Sequence, residues 1–562
     1  MRLFIAEKPE LAKAIVEGLG GGSRKDGYFD CGSDCVTWCF GHMLELCDPE
    51  DYDEKYAKWN INDLPISHVP WKKKVSKDKK KQVKIIVDLI KNANIIVNAG
   101  DPDEEGQLLV DEIIEYSKSS VPVKRVLIND NNTKVVQKSL ANLRDNAEFH
   151  GFSQAAEARS VGDQLYGYNL SRAYTLKAQE KGMQGVLSVG RVQTPVLGMV
   201  VRRERENKAH KKAYYYNVNG VFDVSGCQFP ARYQVSDSDT QDDNGRLIDE
   251  EQARKIATAV SGQSAKVVKA ETKNKKELAP LPYNLLKLQT DASRKFGYKP
   301  DQVKQITQDL REKHKLITYN RSDCEYLSDE QHADAQGILS AIATTAPLLA
   351  KASTNADPNV KGRAFNSSKV SAHHAIIPTE ATANFAKLSE PEQKIYMLIA
   401  RQYIAQFWPD RIYEQTILEL DVGGHIFSAI ANVTIQQGFK VLYKNDQGNE
   451  DLKSNEDDLN ADLRSIKNGD IGRCIDAKSE QKETKPPALY TIATLLSDLT
   501  RVAKYIKDER LKKLLIEKDK DKAGEHGGIG TPATRDTIIK GLFDRGKNRK
   551  KGKSIVATEL GH

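Results

Sequence analysis

Seven cysteines in 562 residues, at positions 31, 35, 39, 47, 227, 324 and 474, are odd in number and include no Cys-x-x-Cys pair. That does not suit a disulfide framework in a large intracellular chain, and although Cys31, Cys35, Cys39 and Cys47 lie close together, the missing Cys-x-x-Cys pair and the strand-like alternation from Cys35 to Phe40 make zinc the minority reading. No stretch approaches the roughly 20 apolar residues that a membrane span needs, and the N-terminus lacks the basic, apolar and cleavage-site plan of a signal peptide. The chain therefore reads as intracellular. It has no G-x-x-x-x-G-K-[ST] loop, so no P-loop nucleotide site is expected, and no internal repeats. Nor does one sign of charge dominate: 85 basic against 78 acidic residues leave a net charge of +7. The positive charge is clumped instead, at Lys72-Lys73-Lys74, Lys77, Lys79-Lys80-Lys81 and again over 547–553. Such runs suit a polyanion, although any one of them alone is more often simply hydrated surface.

What is present is the length for three to five domains, at about 100–200 residues each. Up to about residue 150, short apolar runs (Leu3 to Ala6, Ile95 to Asn98, Val123 to Ile128) alternate with helical patterns, which predicts an α/β layout with a largely parallel sheet. Residues 152–207 read as helical. Residues 214–269 alternate like antiparallel strands, interrupted by a flexible acidic loop at 236–245. Helical spacing returns at Leu285, Leu288, Ala292 and Phe296 and continues to about Trp408. A second strand-rich stretch covers 412–474, including a polar loop at 445–462, and the tail from Tyr490 is helical. Strand-rich segments on both sides of one helical region predict a domain inserted into a sheet.

Two places carry chemistry. Asp101-Pro102-Asp103-Glu104-Glu105-Gly106 follows the apolar run Ile95-Ile96-Val97, and Glu7-Lys8 follows Leu3-Phe4-Ile5-Ala6. Parallel sheets place ligands at the carboxyl ends of their strands. On an extended chain Asp101, Asp103 and Glu105 face one side, offering the carboxylate oxygens that a hard cation such as Mg²⁺ takes. Taken alone, the acidic turn reads equally well as a solvated loop; Glu7-Lys8 beside it favours a metal-and-phosphate site. The second place is Ile317-Thr318-Tyr319-Asn320-Arg321. Tyr319 leaves a short β-branched run with Arg321 two residues on, on the same side if the chain stays extended. A guanidinium there could grip a phosphate that the tyrosine attacks. A tyrosine merely packed at a domain edge is the commoner case.

Further motifs bear on that choice. They are Ile5-Ala6-Glu7-Lys8-Pro9, Leu64-Pro65-Ile66, Asp101 to Gly106, Ser188-Val189-Gly190-Arg191-Val192-Gln193-Thr194-Pro195, Leu281-Pro282-Tyr283-Asn284, Ala372-His373-His374-Ala375-Ile376-Ile377-Pro378-Thr379 and Gly528-Ile529-Gly530-Thr531-Pro532-Ala533-Thr534-Arg535. In this order the chain resembles type IA DNA topoisomerases over nearly its whole length. The Leu-Pro-Ile segment and Ser322-Asp323-Cys324-Glu325-Tyr326-Leu327 are similar to the topoisomerase III subfamily.

The resemblance implies a multidomain fold of α/β, α and β parts, a torus with an N-terminal Toprim domain. Its expected boundaries are 1–150 for Toprim, 151–213 with 485–562 for a helical DNA-binding domain, 214–278 with 409–484 for a strand-rich arch, and 279–408 for an inserted helical domain carrying the tyrosine. It implies that Tyr319 forms a 5′-phosphotyrosyl link, that Glu7 is the general acid, and that Lys8 and Arg321 stabilise the phosphate. Asp101, Asp103 and Glu105 would hold Mg²⁺. Arg172, Ser188, Arg191, Gln193, His373 and Arg535 would bind the DNA strand, with helices starting at Thr194-Pro195 and Thr531-Pro532 helping. Substrates would be single-stranded, negatively supercoiled or catenated DNA, without ATP. A helicase or single-strand-binding protein would be the partner of a monomer in the cytoplasm, at the nucleoid. An acidic loop at 236–244, where topoisomerase III enzymes carry a decatenation loop, weakens the expectation of strong decatenation. Competing readings are a topoisomerase I-like relaxing enzyme, a single-strand binder without chemistry, and a Toprim nuclease or primase; the last would not need Tyr319.

Overall fold

The apolar run at the N-terminus forms a strand, β1 (Arg2–Ala6), whose Leu3, Phe4, Ile5 and Ala6 are all fully buried. Burial on both faces is what a central parallel strand requires, and it explains an unbroken apolar run in place of alternation. The computed structural model describes the chain except for residues 129–132, 371–372, 445–457, 460 and 521–523. The described part divides into two compact units, Met1–Val196 with Val370–His374, and Leu197–Lys369 with Ala375–His562.

In the first unit β1 is followed by α1 (Pro9–Gly18), β2 (Ser23–Arg24), β3 (Tyr28–Cys31), β4 (Asp34–Trp38), β5 (Ile95–Ala99), α2 (Glu104–Tyr116), β6 (Val123–Arg125), β7 (Arg144–Asp145) and the long α3 (His150–Gln179). The sheet order is β2-β3-β4-β1-β5-β6-β7. The four central strands β4, β1, β5 and β6 are parallel and the edges antiparallel, as the alternating sequence pattern predicts. Register pairs Ala6 with Ala99, so β1 and β5 end side by side. Pro9 opens α1 at a position where its missing N–H costs nothing.

In the second unit, strands β8 (Tyr214–Val224), β9 (Cys227–Tyr233), β10 (Ser264–Glu277), β11 (Arg411–Val422), β12 (His425–Gln436), β13 (Asp458–Leu459) and β14 (Ile471–Glu483) share one sheet. Their order is β9-β8-β14-β10-β11-β12-β13, and β9 also pairs with β12. Six strands thus close on themselves and leave little edge exposed. Phe222, Phe229 and Phe427 fill the inside, with Ile256 and Val260 of a helix (Glu250–Val260) packed against them. The register partners Glu277 and Arg411 end neighbouring strands, so residues 278–410 leave and re-enter the sheet at one point. Those residues have their own core, centred on Leu285, Leu288, Leu310, Ile342, Tyr396 and Tyr403.

The acidic loop read as flexible is instead folded on its own carboxylates. Asp239 accepts hydrogen bonds from the Tyr233 hydroxyl, the Ser236 backbone and Gln252, and Asp242 pairs with Arg246 at 2.6 Å. The polar loop at 445–462 lies largely outside the described residues. All seven cysteines are free.

Candidate active site

Because β1 and β5 end together, Glu7, Lys8 and Asp101 meet. The Asp101 backbone N–H donates to Glu7 Oε2 at 3.0 Å, and Lys8 Nζ donates to Asp101 Oδ2 at 2.6 Å while lying 3.7 Å from Glu7 Oε1. Two glycines allow the close turn. A Cβ on Gly100 would sit 1.9 Å from the Gly106 carbonyl oxygen, and one on Gly106 would sit 2.3 Å from that of Asp101. Below the loop, Arg125 is 1% exposed and donates to the carbonyls of Asn98, Gly100, Asp101 and Val126. Burial lowers its pKa to about 10, against the pull of Asp111 and Asp101, so it stays charged at neutral pH.

The acids differ in the direction in which their surroundings shift them. Burial raises the pKa of Glu7, and the Asp101 charge raises it further against the opposing pull of Lys8. Asp103, more open to solvent, is also raised, first by desolvation and then by Asp101 and Glu105. Glu105 is lowered, chiefly by its hydrogen bond with His42 and then by Arg159, overcoming desolvation. His42 is correspondingly raised to about 9 by bonds to Glu105 and Glu112 at 3.3 and 3.2 Å.

This corrects the expectation of an extended Asp101, Asp103 and Glu105 trio. Asp103 caps the N-terminus of α2, accepting from the Gly106 N–H at 2.7 Å, and Glu104 and Glu105 already lie in its first turn. Alternation therefore stops at Asp103. Glu105 bonds His42 and, at 2.9 Å, Arg159. Among the described residues no three His, Cys, Asp or Glu side chains are grouped to hold one ion. The donor set nonetheless suits a hard cation, since Glu7, Asp101 and Asp103 present only carboxylate oxygens and the pKa values of Glu7 and Asp103 are raised by burial and then by the neighbouring Asp101 charge.

Tyr319 lies in the second unit, held through its backbone neighbours. Ile317 bridges Pro378 and Tyr283 bridges Ile376. Thr318 N–H donates to the Ile377 carbonyl at 3.0 Å, its hydroxyl donates to the Ala375 carbonyl at 3.2 Å, and the Thr379 N–H donates to the Leu316 carbonyl at 3.0 Å. The Arg311 guanidinium lies 4.8 Å from the half-buried Tyr319 ring centre. The chain then turns at Asn320 and Arg321, so two-residue alternation does not apply there. Asn320 is buried and donates to Thr307 at 3.1 Å, whereas Arg321 is exposed, with no ion pair or hydrogen bond among the described residues.

The expected strand contacts separate into two groups. Arg172 is 5% exposed, donates to the Tyr56 carbonyl at 2.8 Å and stacks 5.2 Å from the Trp59 ring centre. Arg535 is 1% exposed, with its guanidinium on both Glu525 oxygens and on the carbonyls of Ile529 and Gly530. Neither guanidinium is presented to solvent, which corrects the expectation of direct contact. Arg191 is exposed and paired with Asp163 at 2.5 Å, and the amide of Gln193 lies 3.5 Å from the Ser188 hydroxyl. The helix Gln193–Ala209 starts before Thr194, whose hydroxyl accepts from the Gly190 N–H; Thr531 does precede the helix Pro532–Asp544 with a capping box. His373 is buried within Val370–His374 of the first unit, and Ala372 of its motif lies outside the described residues.

His42, Arg125, Arg159 and Arg311 escaped sequence reasoning. Only Arg311, a cation in the last turn of the helix Pro300–Glu312 just before the Tyr319 segment, left a local signal.

A family model described as DNA topoisomerase matches residues 148–562, and one described as Toprim domain matches 2–131. The DNA topoisomerase 3 of Vibrio cholerae is 42% identical over all of this chain and 86% of its own length. That of Haemophilus influenzae is 41% identical over all of this chain and 86% of its own length, and that of Bacillus cereus 34% over all of this chain and 74% of its own. The full-length topoisomerase I from Thermotoga maritima has a similar fold, with a TM-score of 0.63 and 22% identity, covering 99% of this chain and 80% of that one.

Proposed function

The chain belongs to the type IA DNA topoisomerases, in their topoisomerase III branch, which act without ATP, and from that premise we propose how its residues divide the reaction. Tyr319, its phenolic proton passing to solvent, attacks a phosphodiester of single-stranded DNA. A bond from phosphorus to the tyrosine oxygen forms as the bond to the 3′-oxygen breaks, leaving a 5′-phosphotyrosyl link that conserves the energy for rejoining. Glu7 gives its proton to the departing 3′-oxygen and takes it back on religation. One observation carries this assignment: Glu7 is a carboxyl of raised pKa, hydrogen-bonded to the backbone of Asp101 and next to Lys8. Lys8 and Arg321 stabilise the charge that grows on the phosphate.

Mg²⁺ is the cation this site would take, with Asp101 and Asp103 as ligands and Glu105 joining at the expense of its bonds to His42 and Arg159. When bound, it positions the 3′-hydroxyl for rejoining. Ser188, Arg191 and Gln193 line the strand path and His373 hydrogen-bonds a phosphate near Tyr319. Arg172 and Arg535 serve the strand indirectly, by holding Tyr56, Trp59 and the Ile529–Gly530 turn in place. We take residues 1–150, 151–213 with 485–562, 214–278 with 409–484, and 279–408 as the four domains. Negatively supercoiled and catenated DNA are the physiological substrates of a monomer at the nucleoid, supported by a helicase or single-strand-binding protein.

The test is a labelled single-stranded oligonucleotide incubated with enzyme and stopped with denaturant. A covalent adduct is expected with the native chain, and its absence would remove the assignment. Unlinking of gapped catenanes measured beside relaxation of negatively supercoiled plasmid distinguishes a topoisomerase III activity from a purely relaxing one.

A further inference from the structure

The two lysine-rich runs differ in how many of their cations are paired. In the first, Lys73 pairs with Glu157 at 2.8 Å, Lys74 with Asp48 and Asp51 at 2.7 and 2.5 Å, and Lys81 with Asp26 at 2.8 Å, while Lys79 donates to the His42 carbonyl at 2.7 Å. The second run, 547–553, has five Arg or Lys in seven residues and no acid. It forms β15 (Asn548–Lys551), which pairs antiparallel with β16 (Ser554–Ala557), Arg549 opposite Val556 and Lys550 opposite Ile555. Ile555, Val556 and Ala557 are 1%, 3% and 5% exposed, so β16 is the inner strand and β15 the outer edge.

On that edge Arg549, Lys550 and Lys551, with Lys553 in the turn, are exposed and form no ion pair or hydrogen bond among the described residues. Alternation sends cations to both faces of the strand, with same-face neighbours about 7 Å apart. The hairpin contains no aromatic residue, hence no platform for stacking unpaired bases. Unneutralised cations without stacking partners fit a phosphate backbone whose bases are already paired.

We propose that the β15–β16 hairpin binds the backbone of duplex DNA flanking the single-stranded segment, a contact additional to those assigned to Ser188, Arg191 and Gln193. The proposal rests on the function above only in taking DNA as the substrate. The experiment compares the full chain with R549Q/K550Q/K551Q/K553Q, four surface changes that leave the apolar strand β16 intact. Affinity is measured against salt for a short single-stranded oligonucleotide and for the same strand extended by a duplex arm.

For the duplex-bearing substrate, the slope of log affinity against log salt should become shallower by about 2–4, at about 0.9 per phosphate contact. Single-strand affinity and adduct formation on the short oligonucleotide should stay at native levels. An unchanged slope with the duplex arm would mean that the cations only guard a strand edge against aggregation, and would overturn the proposal. Equal losses on both substrates would place the hairpin in the single-strand path and overturn it as well. Failure of the native chain to form an adduct would instead count against the parent function, and the duplex slope would still judge the hairpin.

Discussion

Around Glu7, Lys8 and Asp101 the charged groups are already engaged with one another, whereas around Tyr319 it is the backbone that is held and the nearby cation Arg321 is left open. The acidic region carries its own counter-charges, Lys8 in front and Arg125 behind, because several carboxylates cannot share a small volume without them. The tyrosine region stores no such charge. Its ordering comes from single bridges at Ile317 and Tyr283, and its free cation has nothing to lose on meeting a phosphate. The difference teaches that two cations with one chemical assignment can differ in what else depends on them.

The largest expected effect tests the tyrosine region alone. Tyr319→Phe removes one hydroxyl and little packing, so covalent adduct and relaxation should vanish while oligonucleotide binding survives; any residual adduct in a denaturing gel would refute the nucleophile. Next come Lys8→Ala and Arg321→Ala, each expected to slow single-turnover cleavage about 100-fold or more, with affinity nearly native. The contrast should appear in unfolding experiments: Lys8→Ala removes the 2.6 Å ion pair with Asp101 and lowers the melting temperature, whereas Arg321→Ala leaves it unchanged. Equal melting shifts would erase the comparison.

A smaller and more selective loss is expected from Asp101→Asn with Asp103→Asn, where Mg²⁺-dependent rejoining should fall more than cleavage. Unchanged relaxation at limiting Mg²⁺ would remove the metal assignment. Arg311→Gln should have the mildest effect, because one cation over an aromatic ring contributes about 0.5–1 kcal/mol at an accessible site. Cleavage a few-fold slower is the expectation, and a loss rivalling that of Arg321→Ala would give Arg311 a direct part in the chemistry.

What could be read from the chain follows from how local each determinant is. The strands β1 and β5 announce themselves as apolar runs, and parallel pairing then brings Glu7 and Asp101 together without further information. The helix start at Glu104 was readable too: Asp103 ahead of a helical pattern is a capping residue, and treating the turn as extended missed it. Arg172 and Arg535 show the opposite limit. A sequence displays their charge but not their burial, and only the fold reveals that the first stacks on Trp59 and the second closes on Glu525. His42, Arg125 and Arg159 reach Glu105, Glu112, Asp101 and Glu104 across 24 to 70 residues of chain, and no local pattern marks such partners.

Arg125 also separates two things that metal removal would otherwise confound, the emptying of a site and the collapse of its scaffold. The loop of Gly100 and Asp101 has a permanent monovalent ion under it, anchored by carbonyl oxygens and unable to diffuse away. Chelation should therefore silence rejoining while leaving the thermal transition almost where it was. Arg125→Met, which keeps the bulk and deletes the charge, takes the guanidinium donor from the Gly100 and Val126 carbonyls, at about 1–3 kcal/mol each. Its melting curve should shift down by several degrees even in excess Mg²⁺, as if the domain had lost an ion that no buffer can resupply.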